Sequence, residues 1–188
     1  MPSDDSVVLP ADSLAYLVDQ DGIVVGVDDG WRRFALENGA PELAMAPVGL
    51  SIWDAISDDD LRELYRKLVR DAWRGRLVDV SIRCDAPDRR RWLELTIAPA
   101  AGGVVAFTSR VVREEARPRL DVLDPGAPRD GRLLTVCSWC ARALLDGRWR
   151  KVEDAVVGLG LEGAPTQPLL SHGICPECVV TAFGTILD

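Results

Sequence analysis

Apolar residues recur with two different periods along this 188-residue chain, and each change of period marks an element. LAYLVD (residues 14–19) and IVVGVD (residues 23–28) are apolar runs of strand length, and the Asp21-Gly22 step between them favours a hairpin turn. The spacing then becomes helical: Trp31, Phe34 and Ala35 share one face, and Asn38-Gly39 supplies a stop. Pro41, Pro47 and Gly49 limit residues 40–56 to single helical turns. The longest helix is predicted from Ser57, as N-cap, to Gly75, with Asp58, Asp59 and Asp60 at the positive end of its dipole. Its stripe of Leu61, Leu64, Tyr65, Leu68, Val69, Ala72 and Trp73 repeats at three and four residues and makes one buried face. Residues 76–84, 91–98 and 103–112 read as three strands joined by turns at DAPDRR and PAAGG, an antiparallel meander.

Periodicity then breaks. RPRLDVLDPGAPRDGR (residues 117–132) holds three prolines and two glycines, the composition of a linker. The chain therefore divides into a first domain over residues 11–116, a linker over 117–132 and a second domain over 133–188. In the second, LLTV is a strand, RALL and RWRKV flank Asp146-Gly147 as a hairpin, and Pro176 opens a helix that VVTAFGTIL continues.

Cysteine changes the picture most. Cys137 and Cys140 form one Cys-x-x-Cys pair, Cys175 and Cys178 another, with 34 residues between the pairs. Each pair can present two sulfurs to one ion from a tight knuckle, so together they offer the four soft ligands of a tetrahedral Zn²⁺. Cys175 and Cys178 would flank the start of the last helix, whose free N–H groups favour thiolate. Knuckle, hairpin and ligand-bearing helix resemble the treble-clef zinc sites. His172 precedes the second pair and admits two readings: a ligand replacing one cysteine, or a neighbour that donates to a sulfur or caps the turn. The second is preferred, because four cysteines already fill the set. Cys84 is left over, and its parity with Val78, Val80 and Ile82 places it on a core face.

The order strand, strand, small helices, long helix and three strands is that of a PAS domain. LAYLVDQDGIVVGVDDGWRRFALENG, VGLSIWDAISDDDLRELYRKLV and RWLELTIAPA resemble that family over about a hundred residues. The resemblance implies an α+β fold: a five-stranded antiparallel sheet with helices on one face, around a pocket that in many members holds a small molecule. The ligand here stays unknown. The Asn-Cys-Arg-Phe-Leu context of photochemical flavin members is missing, and the sole histidine lies in the other domain, leaving Met45 or Cys84 for haem. CSWC, DGRWRKVE with Trp149 and Glu153, and LSHGICPEC resemble a small cysteine-rich tail at the ends of bacterial PAS and receiver-domain signalling proteins. GLGLEGAPTQPL is richer in Gly and Pro than the corresponding stretch of that tail.

Charge and composition narrow the function. A net charge of −8 disfavours a large phosphate-binding surface, and residues 133–188 carry four Lys/Arg against six Asp/Glu, a balance of −2. No run is long enough to span a bilayer, and MPSDDSVVLP has no signal-peptide pattern, so a cytoplasmic protein without membrane contact is expected. Thiols stay reduced there, which favours metal or redox chemistry over structural disulfides. No Ser-His-Asp set, glycine-rich phosphate loop or kinase-like segment is present, so no catalytic residue is expected. The leading expectation is a non-enzymatic signal-transduction sensor or interaction protein with structural zinc and a protein partner, self-associating as a homodimer through SVVLPADSLAYL. The alternatives are a thiol redox switch or oxidoreductase working through the Cys-x-x-Cys pairs, and a transcription accessory protein.

Overall fold

In the computed structural model, which describes residues 14–45 and 47–187, local signals and long-range pairing combine into two sheets with helices. Strand β1 (Leu14–Val18) pairs antiparallel with β2 (Val24–Val27) across the Asp-Gly turn, and Gly22 adopts φ +80°. A side chain cannot be added there: Trp53 lies over the turn, its Nε1 donates to the Asp21 carbonyl at 2.8 Å, and a Cβ on Gly22 would fall 2.1 Å from that nitrogen. Residues 6–13 of the apolar segment proposed for self-association lie outside the described residues.

Helix α1 (Asp29–Glu37) starts where the Asp28 carboxylate accepts from the Trp31 N–H at 2.7 Å and ends before Gly39 at φ +73°. Two short helices, α2 (Pro41–Met45) and α3 (Ile52–Ala55), fill the proline-bearing stretch. The long helix α4 (Asp59–Trp73) is capped by Asp58, not Ser57: the Asp58 carboxylate accepts from Leu61 N–H at 2.8 Å, and the helix begins one residue later. Its predicted stripe is buried at Leu61, Leu64, Leu68, Val69 and Ala72.

Strands β3 (Val78–Arg83), β4 (Arg89–Ala100) and β5 (Val104–Ala116) complete an antiparallel five-stranded sheet in the order β2-β1-β5-β4-β3, with β5 also pairing β1. β4 and β5 run longer than their apolar cores predict because charged residues extend both. Contacts within the chain define two compact units. One takes in residues up to Ala55 with Glu63–Val80 and Glu94–Arg110; the other takes in Ile56–Arg62, Ser81–Leu93 and Val111 onward. In the first, Tyr16 stacks on Phe107 at 4.7 Å and meets Trp31 edge-on at 5.1 Å, and Val18, Leu64, Leu68 and Ile97 are all 0% exposed.

The second unit contains β6 (Arg129–Cys137), β7 (Arg142–Leu145), β8 (Arg148–Lys151), α5 (Val152–Gly158), β9 (Gln167–Gly173) and α6 (Pro176–Leu187). The four strands order as β8-β7-β6-β9; β7 is antiparallel to both neighbours, and β6 is parallel to β9 with Leu133 opposite Leu169 and Cys137 opposite Gly173. Asp146 and Gly147 have φ +50° and +72°, the left-handed pair of a two-residue hairpin turn. The linker composition of residues 117–132 misleads. Leu120 and Val122, flanking or within a 3₁₀ turn at Asp121–Leu123, are buried with Leu134, Val136, Ala143, Val152, Ala155, Val156 and Leu161 in one core. Arg129 donates to the carbonyls of Val122 at 3.0 Å and Pro168 at 2.7 Å, fastening that segment to β9.

Candidate metal centre

Four sulfurs meet where β6 ends and α6 begins. Cys137 is the last residue of β6, Cys140 closes the tight turn after it, Cys175 immediately precedes α6, and Cys178 lies in the first turn of that helix. All four Sγ atoms lie within 4.8 Å of one another, and Cys140 Sγ is 3.8 Å from Cys175 Sγ. Cys137 and Cys175 are each 1% exposed, whereas Cys140 and Cys178 are half-buried; all are free thiols. The cluster could hold a metal ion.

Backbone geometry explains why residues 38 positions apart converge. The parallel register of β6 on β9 sets Cys137 beside Gly173, Ser138 N–H donates to the Gly173 carbonyl at 2.9 Å, and Cys175 N–H donates to Cys137 Sγ at 3.3 Å. The turn closes through Ala141 N–H to Cys137 carbonyl at 2.9 Å. Ala141 itself holds φ +58°, an uncommon conformation for a residue with a Cβ, and the following Arg142 N–H is thereby aimed at Cys140 Sγ.

The electrostatics are those of crowded thiols. Cys137 is lowered to about 5, because the Cys140 thiol donates to it and the N–H groups of Cys175, Cys140 and Trp139 add to that bond, outweighing burial. Cys140 moves upward as the donor to Cys137, and Cys178 is raised to about 12, chiefly by desolvation. A thiolate is thus favoured at Cys137, while Cys140 and Cys178 hold their protons more tightly. A cation at the centre would replace those protons and neutralise the repulsion among the sulfurs.

His172 is not among the clustered donors. It lies on β9 opposite Val136, exposed at the residue level, with nearby protein lowering its pKa by desolvation. Cys84 falls just beyond β3 and is half-buried, less enclosed than a core position, with its thiol pushed up by burial; Met45 is 85% exposed on α2. Trp149 pairs across the hairpin with Leu144.

Glu153 joins a cluster that sequence reasoning missed. Arg117, with its side chain 1% exposed, reaches Asp85 at 3.0 Å, Glu153 at 3.5 Å and the Ala86 carbonyl at 3.0 Å. Arg83 binds Asp85 through two bonds of 2.6 and 2.9 Å, and Arg90 binds Glu153 at 2.6 Å. Desolvation lowers the pKa of Arg117 against the opposing pull of both carboxylates. The partners lie 32 and 36 positions away along the chain, beyond any local pattern.

The sequence matches no model of a known protein family, and a search of curated proteins finds no match.

Proposed function

We propose that the chain is a non-enzymatic signal-transduction sensor and interaction protein in which a PAS-like domain is joined to a small treble-clef-like module organised by one structural Zn²⁺. The observation that carries this reading is the enclosure of four sulfurs, two of them almost fully buried, between a strand end and a helix start. A tetrahedral zinc with Zn–S bonds of about 2.3 Å needs sulfurs about 3.8 Å apart. The Cys140 to Cys175 separation of 3.8 Å already equals that edge, and the remaining pairs need contract by no more than about 1 Å from their 4.8 Å limit. Cys137, Cys140, Cys175 and Cys178 would hold the ion, and His172 would stay a neighbour.

The PAS-like half of the reading rests on element order and on the five-stranded antiparallel sheet. Its ligand stays unassigned. A cytoplasmic setting, a homodimer and a protein partner belong to the same proposal; among the described residues no helix is long and apolar enough to cross a membrane. Zinc removal supplies the test. Chelation of the purified chain should release one equivalent of zinc and expose the amides of residues 133–182 to hydrogen exchange, while those of residues 14–45 keep their protection. Unchanged exchange beyond residue 133 after the metal is gone would refute a structural role.

The second reading, a thiol redox switch, draws on the lowered Cys137 and on the half-buried Cys140 and Cys178, which an oxidant can reach. It predicts a metal-free chain in which mild oxidation joins Cys137 to Cys140 reversibly. The net charge of −2 over residues 133–188 leaves the transcription-accessory reading weakest.

A further inference from the structure

We propose that the β8 edge of the second unit receives an extended acidic segment of a partner protein. This deepens the interaction reading above and rests on it. The chain has 22 Lys and Arg, and almost all are engaged in ion pairs, carbonyl bonds or aromatic contacts. Among the described residues only Arg33, Arg148, Arg150 and Lys151 have no such partner, and three of these four occupy one four-residue strand. All three are exposed. In an acidic protein where almost every other cation already has a partner of its own, a strand of free ones is a place for external negative charge.

The backbone of that strand is also open. β8 ends the sheet order β8-β7-β6-β9, so one side of it has no neighbouring strand. Leu145 and Arg148 flank the two-residue turn and form its hydrogen-bonded pair; the alternation of an antiparallel ladder then turns the main chain of Arg148 and Arg150 toward β7 and that of Trp149 outward, together with the N–H of Lys151. Arg148 and Arg150 share one sheet face, Trp149 and Lys151 the other. An added strand would meet cations on both faces and the half-buried Trp149 between them, main-chain bonds supplying affinity and the charges selecting acidic side chains.

Nearby acids do not cancel this. Asp146 in the turn and Asp154 on α5 make no ion pair with the three cations, and Glu153 is held by Arg90 and Arg117. Charged edges also discourage self-pairing of sheets, and that role alone would leave the edge without a ligand.

The test uses the full zinc-loaded chain, isotopically labelled, and two synthetic peptides: acetyl-Glu-Val-Glu-Val-Glu-amide and its Gln-for-Glu counterpart. The acidic peptide should shift the amides of Trp149 and Lys151 saturably, the neutral one should bind at least about tenfold more weakly, and R148E/R150E should lose the preference. R148Q/R150Q, which keeps side-chain length, should reduce it in the same direction. Zinc content, measured on each protein, separates failure of this proposal from failure of the zinc module. Shifts absent from β8, equal binding of both peptides, an unaltered preference in both variants, or tighter binding of duplex DNA than of the acidic peptide would each overturn it.

Discussion

Replacing Arg117 by alanine should destabilise the second unit by about 2–3 kcal/mol. Removing one partner of a buried ion pair typically costs about 3–5 kcal/mol when the other charge is left alone. Here neither carboxylate is abandoned, because Asp85 keeps Arg83 at 2.6 Å and Glu153 keeps Arg90 at 2.6 Å. The Ala86 carbonyl does lose its charged donor at 3.0 Å and keeps only the longer bond from Arg89 N–H at 3.4 Å, a cost of about 1.5–3 kcal/mol for a charge-assisted bond. One gain opposes these losses: Arg117 Nε is buried without a partner, and its removal relieves that penalty. Urea unfolding followed by Trp fluorescence should therefore show a midpoint lower by about 1–1.5 M for a slope of about 2 kcal/mol/M. Arg117→Met, which retains most of the aliphatic stem, should lose most of the same amount, because the loss is polar and not one of packing. A shift below about 0.3 M in both variants would show that Arg83 and Arg90 suffice to hold Asp85 and Glu153, and that the guanidinium is dispensable.

Three further outcomes follow from single contacts. Gly22→Ala should destabilise the first unit by at least about 3 kcal/mol in thermal unfolding, since it adds a Cβ 2.1 Å from Trp53 Nε1 at a φ of +80°; an unchanged melting temperature would contradict the packing of that turn. The pKa of Glu153 lies below the ordinary 4.5, because burial, which would raise it, is outweighed by the hydrogen bond and charge of Arg90 and the charge of Arg117. The stability gap between wild type and Glu153→Gln should accordingly be full above about pH 5 and shrink as pH falls from there through the depressed value; a gap that stays constant throughout acidification would remove the ion pair as its source. Ala141→Gly should hold metal as well as wild type and stabilise the turn by about 1 kcal/mol, whereas Ala141→Val should weaken metal retention measured by chelator competition; the reverse order would refute the strain assigned to φ +58°.

What could be read from the chain before its structure was known follows the range of the interactions. Hairpins at Asp21-Gly22 and Asp146-Gly147, the stripe of α4 and the opening of α6 at Pro176 depend on neighbouring residues, and each lies where the pattern put it. The cap of α4 shifted from Ser57 to Asp58 because adjacent candidates compete for the same N–H groups and sequence does not rank them. β9 was missed because Gln167–Gly173 carries a proline and a glycine and owes its extended form to a parallel partner over thirty residues earlier. Residues 117–132 look like a tether for the same reason. Three prolines and two glycines mask Leu120 and Val122, whose burial depends on β6 and α5, and Arg129, which reaches β9. The cysteine spacing announced the four-sulfur cluster, but the parallel register that brings Cys137 to Gly173 and the N–H groups aimed at Cys137 belong to the folded chain.

Native mass spectrometry of the reduced chain, purified without chelator, tests the central claim most directly. The account predicts one zinc per chain in wild type and none retained after Cys137→Ser/Cys175→Ser, with the four thiols of the wild type released to alkylation only when the metal is removed. A wild-type chain that stays folded through residue 182 at its metal-free mass, with Cys140 and Cys178 freely alkylated, would contradict it.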